Sequence, residues 1–213
     1  NQNKVREFKA FVSKFPVEVK SLSDFGPLPE VIEDGSTFDE NAYKKALHYA
    51  KVLGIPAIAD DSGLVVEALS GAPGVRSARF AGDDASDQDN CRKLLADLEG
   101  ETNRQASFVC VLSIAVPSGP ALTYEASCEG TILDAPRGSN GFGYDPLFYY
   151  EPYGKTFAEI SMDEKNKVSH RGKVLKDLSD EFDQVLKWLD QSTLEEMPAQ
   201  PDHSTSEEND WSR

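Results

Sequence analysis

Between Ala106 and Leu133 lie two long strand-like runs, ASFVCVLSIAVP and LTYEASCEGTIL, joined through Ser118, Gly119 and Pro120. So short a connection admits only antiparallel pairing, because a parallel crossover needs about a dozen residues or more. Before this hairpin the chain alternates helix-like and strand-like segments.

Those segments, and the ones after it, carry patterns of both kinds. KVREFKAFVSKF places Val5, Phe8, Phe11, Val12 and Phe15 on one helical face, and PVEV after it reads as a short strand. TFDENAYKKALHYAKVLG opens on Thr37 and Glu40 in capping-box spacing and closes on Gly54, which predicts a helix. PAIAD and LVVEAL read as strands around a tight turn at Ser62-Gly63, and SDQDNCRKLLADLEG as a helix ending at Gly100. APRGSNGFGYDPLFYY is a glycine-rich loop leading into aromatics. From Ser161 to Leu189 one long helix is expected, with a capping box at Ser161 and Glu164 and a buried stripe of Leu175, Leu178, Phe182, Val185, Leu186 and Leu189. The order suits an α/β fold with a mixed sheet. Residues 1–190 are expected to form one domain, and residues 191–213, polar and acidic, a disordered tail.

Acidic residues outnumber basic ones 37 to 22, for a net charge of −15. That balance argues against a nucleic-acid surface, which needs a basic footprint. It admits a small anionic substrate where a metal ion or a local Lys/Arg cluster inverts the field. Cys91, Cys110 and Cys128 are odd in number and lack C-x-x-C spacing, which favours reduced thiols and a cytoplasmic home. No apolar run approaches the roughly 20 residues of a membrane span, and no signal peptide is visible.

Several clusters carry chemistry. Asp60 and Asp61 end an apolar run and precede Ser62 and Gly63. They read either as turn residues capping backbone N–H groups or as Mg²⁺ ligands, since that ion takes one or two carboxylates plus phosphate oxygens. Glu33, before the capped helix, is a second candidate ligand or a solvated loop residue, and one of Lys44 and Lys45 faces the site. NQNKVREF runs a polar loop into a helix start, where backbone N–H groups hold phosphate. GSNGFGYDP lets the backbone approach a flat ligand with Phe142 or Tyr144 stacked on it, or is a junction with core aromatics. Lys165, His170 and Arg171 make a donor cluster suited to carbonyl or phosphate oxygens, or a solvated helix end.

Together NQNKVREF, EDGSTFDENAYKKA, PAIADDSGLVVEALSGAPGVRSARFAG, GFGYDPLFY and SHRGKVLK resemble the inosine triphosphate pyrophosphatase family, in family order and over most of residues 1–190. The ADDSGL…GAPGVRSAR block is the most specific piece. The resemblance implies a long mixed sheet flanked by helices, in two lobes around a substrate cleft. It implies a Mg²⁺-dependent homodimer that hydrolyses ITP, dITP or XTP to the monophosphate and pyrophosphate. Carried over by position, Asp61 would be general base and metal ligand, with Glu33 and Asp60 completing or supporting the metal site. Asn1, Gln2, Asn3 and Lys4 would hold the triphosphate, helped by Lys45, with Ser62 touching the substrate. Phe142, Gly143, Tyr144, Asp145, Lys165, His170 and Arg171 would form the base pocket. The resemblance implies an apolar strand ahead of the phosphate loop; it is missing from this chain, which starts at Asn1, and is expected in the native protein. Three alternatives stay open: a pyrophosphatase for other modified nucleotides, a Mg²⁺ phosphatase with an aspartyl nucleophile, and a non-catalytic nucleotide-binding protein.

Overall fold

A computed structural model describes Phe8, Val12, Ser13 and residues 15–195. The hairpin is as expected: β2 (Gln105–Ala115) pairs antiparallel with β3 (Ala121–Ile132), with Cys110 opposite Ala126. At its tip the Gly119 N–H donates to the Val116 carbonyl at 3.1 Å. On one side β2 pairs with β1 (Ala57–Val66), and on the other side β3 continues to β4 (Phe148–Tyr150) and β5 (Lys155–Thr156), giving the sheet order β1-β2-β3-β4-β5. The α/β class is the one expected. Every described pairing is antiparallel, so the mixed character expected of the sheet is not seen among the described residues.

Helices cover both faces. Helix α1 (Phe38–Leu53) starts at a Thr37–Glu40 capping box and stops at Gly54 in the left-handed region. Its buried Ala46 and Ala50 recur at i and i+4, so the helix lies close over Ala57, Ala59 and Ala115. Alternate residues of β2 point the other way. Cys110, Leu112 and Ile114 pack on Val174, Leu178, Phe182 and Val185 of the last helix, α4 (His170–Glu195). Val12 and Phe15 join that face, the Phe15 ring 4.0 Å from that of Phe182. A second core lies toward the other end of the hairpin, where Phe108, Phe148 and Phe157 meet Leu64, Ile132 and, from helix α2 (Asp87–Asp97), Leu94. Among the described residues no helix is long and apolar enough to cross a membrane.

Three local expectations are corrected. Residues 16–19 are not a strand. The Ser62-Gly63 turn does not exist: β1 runs unbroken from Ala57 to Val66, and Gly63 is not among the positive-φ glycines. Its lack of a side chain serves a close approach, since a Cβ there would lie 2.4 Å from Ser77 Oγ and 2.5 Å from the Gly74 carbonyl oxygen. The long C-terminal helix is two helices, α3 (Met162–Val168) and α4, separated by Ser169 in extended conformation.

Candidate active site

Because β1 is continuous, Asp60 and Asp61 face opposite sides of the sheet. Asp61 is nearly buried and faces α1, where Asn41 Nδ2 donates to its Oδ2 at 3.1 Å and Lys45 Nζ to its Oδ1 at 3.3 Å. Lys45 reaches Glu33 Oε2 as well, at 2.9 Å. One ammonium is therefore shared by two carboxylates, one from a strand and one from a loop. Asn41 also accepts the Gly35 N–H at 2.8 Å, so one buried amide ties the Glu33 loop to the strand. Burial pushes the Asp61 carboxyl above the ordinary aspartate range, while Lys45 and Asn41 pull it down. For Lys45 burial favours the neutral form, but Asp61 and Glu33 outweigh it and raise the ammonium's pKa. Lys44, the neighbouring candidate, turns outward to Asp34.

Asp60 and Ser62, on the other face, meet Arg171 from the first turn of α4. Ser62 Oγ donates to Asp60 Oδ2 at 2.8 Å, and Arg171 Nη2 donates to Asp60 Oδ2 at 3.2 Å and to Ser62 Oγ at 3.4 Å. The two adjacent carboxylates are thus split between a lysine and an arginine. His170 is buried, its ring stacked on Phe108 with centroids 4.9 Å apart and planes inclined by 15°.

The glycine-rich loop forms a second centre. Gly141, at φ +76°, lets the chain fold back over Asp145; a Cβ there would strike the Asp145 carboxylate. Asp145 accepts the Phe142 N–H at 3.0 Å and is ion-paired with Lys165, both side chains being buried. Burial pushes the Asp145 carboxyl upward, against the pull of Lys165. The Lys165 ammonium lies 4.7 Å from the centre of the Phe142 ring and 5.4 Å from that of Phe157. Asn140, Gly141, Phe157, Ile160, Met162 and Lys165 are among the residues lining a cavity of about 340 Å³ beside them. The Gly143 N–H donates to Asp87 Oδ2 at 2.7 Å, and the Tyr144 hydroxyl to the Ser77 carbonyl at 2.8 Å.

The structure thus brings Glu33, Lys45 and Asp61 together, gathers Phe142 and Asp145 around Lys165, which lines the cavity, and joins Ser62 and Arg171 through Asp60. Asp60 does not share a cluster with Glu33 and Asp61. Asn1, Gln2, Asn3 and Lys4, expected to hold phosphate, lie outside the described residues, as does the tail beyond residue 195. Sequence reasoning missed Asn41, Arg79 and Asp87. Asn41 left a trace: it stands four residues before Lys45, and the other buried residues of the helix are alanines. Arg79 and Asp87 act across long sequence separations, on Glu33 and Gly143, and leave no local pattern.

Among the described residues no three of His, Cys, Asp and Glu stand close enough to enclose a metal ion by themselves. Two carboxylates around a cation are nevertheless a donor set that fits Mg²⁺, which keeps waters and takes phosphate oxygens as further ligands. The place now held by the Lys45 ammonium shows where positive charge is favoured.

The chain matches known proteins over most of its length. The model of the Ham1 family matches residues 1–181. A Desulfotalea psychrophila protein named dITP/XTP pyrophosphatase is 62% identical over 213 residues, covering 100% of this chain and 96% of the relative. A Syntrophobacter fumaroxidans protein of the same name is 68% identical over 196 residues, 92% of this chain and 84% of the relative. Among solved structures, a HAM1 protein from Coxiella burnetii superposes with a TM-score of 0.82 at 42% identity, covering 88% of this chain and 95% of that one.

Proposed function

The chain belongs to the Ham1 family, and from that premise we propose that it hydrolyses non-standard purine nucleoside triphosphates (ITP, dITP, XTP) to the monophosphate and pyrophosphate. The observation that carries the reading is the split of Asp60 and Asp61. One strand step separates a buried carboxylate held by Asn41 and Lys45 from a hydroxyl and carboxylate held by Arg171. A charge-handling group and a base-reading group are thus fixed to the same rigid element.

Asp61 is the general base: it takes a proton from the water that attacks the α-phosphorus, and its raised pKa makes it a stronger acceptor than an ordinary aspartate. Asn41 fixes the orientation of its Oδ2. Glu33 and Asp61 would hold Mg²⁺, which when bound neutralises charge on the polyphosphate. Lys45, whose ammonium stands between those two carboxylates, would offer donors to phosphate oxygens, with Asn1 to Lys4 at the phosphate end. Phe142 stacks on the base, and Lys165, His170 and Arg171 offer donors to the purine 6-carbonyl. Adenine presents an amine there, and a buried donor left without a partner costs about 1–3 kcal/mol. The reading includes a homodimer in the cytoplasm; sedimentation of the purified chain tests the dimer.

The test is an assay with ITP, dITP, XTP, ATP and GTP plus Mg²⁺, identifying the phosphate product. Pyrophosphate released preferentially from the first three is the expected result. Orthophosphate would point to an aspartyl-nucleophile phosphatase, and nucleotide binding without turnover to a binding protein.

A further inference from the structure

The turn Gly74–Arg79 contributes no residue to either centre, yet it touches both. Ser77 is buried: its Oγ accepts the Leu64 N–H at 2.8 Å, three residues beyond Asp61, and its carbonyl accepts the Tyr144 hydroxyl at 2.8 Å. At the end of the turn Arg79 Nη2 donates to the Glu33 backbone carbonyl at 3.1 Å. Glu33 needs such support, because it lies in an irregular stretch between Gly26 and Thr37 with no helix or strand. Helix α1 holds that stretch from one side, through Asn41 on Gly35 and Lys45 on the Glu33 carboxylate. Arg79 holds it from the other.

Resting on the reading of Glu33 as a ligand, we propose that Arg79 is a positioning residue that sets the Glu33 carboxylate at its distance from Asp61, so that the two can share one divalent cation. An Arg side chain suits that role, because its planar guanidinium holds a fixed donor direction and its charge strengthens the bond to a carbonyl. Losing it frees the loop without changing any group that touches nucleotide or metal.

The experiment uses the full chain and Mn²⁺ alone as probe, its binding followed by electron paramagnetic resonance without nucleotide. Arg79→Met keeps the aliphatic stem and removes the donors. It should weaken Mn²⁺ binding about tenfold, the lower end of what loss of an outer partner of a metal ligand costs. Arg79→Lys, which can still donate to the carbonyl, should recover most of that loss. The ITP-to-ATP ratio of kcat/KM should stay at the wild-type value in both. Should the apolar variant fail to fold, Arg79→Gln replaces it, with the same weakening expected because its amide is too short to reach. Unchanged Mn²⁺ affinity in the donor-less variant overturns the proposal. So does a defect confined to the nucleotide KM, which would make Arg79 a phosphate contact. A Glu33→Gln chain with Arg79 intact that binds Mn²⁺ as well as wild type refutes the reading of Glu33 as a ligand, and is scored separately from the Arg79 variants.

Discussion

At the carboxylate centre Lys45 divides its ammonium between Glu33 and Asp61, at 2.9 and 3.3 Å, and one of those partners rides on a loop. At the aromatic centre Lys165 is committed to Asp145, with Phe142 and Phe157 beside it and both charges buried. The first group sums to one negative charge and the second to none. In the proposed reading a divalent cation displaces Lys45 at little cost, because the carboxylates keep a counter-ion. Nothing comparable can displace Lys165 without leaving Asp145 alone in a medium that penalises it. On that reading the carboxylate centre exchanges its positive charge, while the aromatic centre keeps a fixed ion pair.

The sharpest test of that contrast is Asp61→Asn. The amide keeps the shape but cannot take a proton, so turnover should fall by more than tenfold, a positioned base being worth about 10²–10⁴-fold. Circular dichroism and the urea midpoint should stay close to wild type, because the change removes a carboxylate that burial already disfavours. An Asn variant with full turnover at saturating Mg²⁺ would remove Asp61 from the chemistry.

Next in size is the difference between the two lysines as structural groups. Lys165→Met leaves the Asp145 carboxylate buried without its counter-charge and should lower unfolding free energy by about 3–5 kcal/mol in urea titration. Lys45→Met should cost less, because Glu33 is partly exposed and Asp61 keeps the Asn41 hydrogen bond. Equal losses would erase the distinction between an exchangeable and a committed ion pair.

A smaller effect is expected at Asp60. Because it meets Arg171 and not Lys45, Asp60→Asn should reduce the ITP-to-ATP ratio of kcat/KM by about tenfold or more, a hydrogen bond to a charged group being worth about 1.5–3 kcal/mol. Mn²⁺ affinity should remain at the wild-type value. A loss of metal binding with discrimination intact would return Asp60 to the carboxylate centre.

Much of this was legible in the chain. The hairpin follows from its short connection, and α1 from Thr37, Glu40 and Gly54, because those signals are local and physical. Asp61 drew attention as a charge at the end of an apolar run. Gly63 misled, because the reason for it lies at Gly74 and Ser77, and a glycine kept for close approach looks in sequence like one kept for a turn. The break at Ser169 lies upstream of the apolar stripe, which begins at Leu175 and does not mark where its helix starts. Its signature is weaker than the capping box at Ser161: Ser169 Oγ accepts the Gly172 N–H at 3.2 Å, but glycine has no side chain to answer back. Arg79 was invisible because its partner is a backbone carbonyl, which any residue at position 33 would supply.

The smallest expected effect concerns what each centre leans on. The aromatic loop is tied through Gly143 to Asp87, in the first turn of α2, and that turn is held by a capping box in which Asp89 Oδ2 accepts the Ser86 N–H at 3.0 Å and the Ser86 hydroxyl. Those bonds to Ser86 first, and Arg92 after them, hold the Asp89 carboxyl down at about 2. A carboxyl whose folded pKa is depressed contributes stability that is complete above its unfolded pKa and is lost as pH falls through the folded one. The wild-type chain should therefore melt above Asp89→Asn at neutral pH, by a margin that narrows from about pH 4 downward and closes near the depressed value of about 2. Comparing the two chains at each pH cancels the titration of the other acids. If the aromatic centre leans on this turn, hydrogen exchange at Gly143 should speed up in the variant at neutral pH while exchange at Gly35, held by Asn41, stays unchanged. Faster exchange at both would mean that the two centres loosen as one body, and the contrast between them would belong to their charges alone.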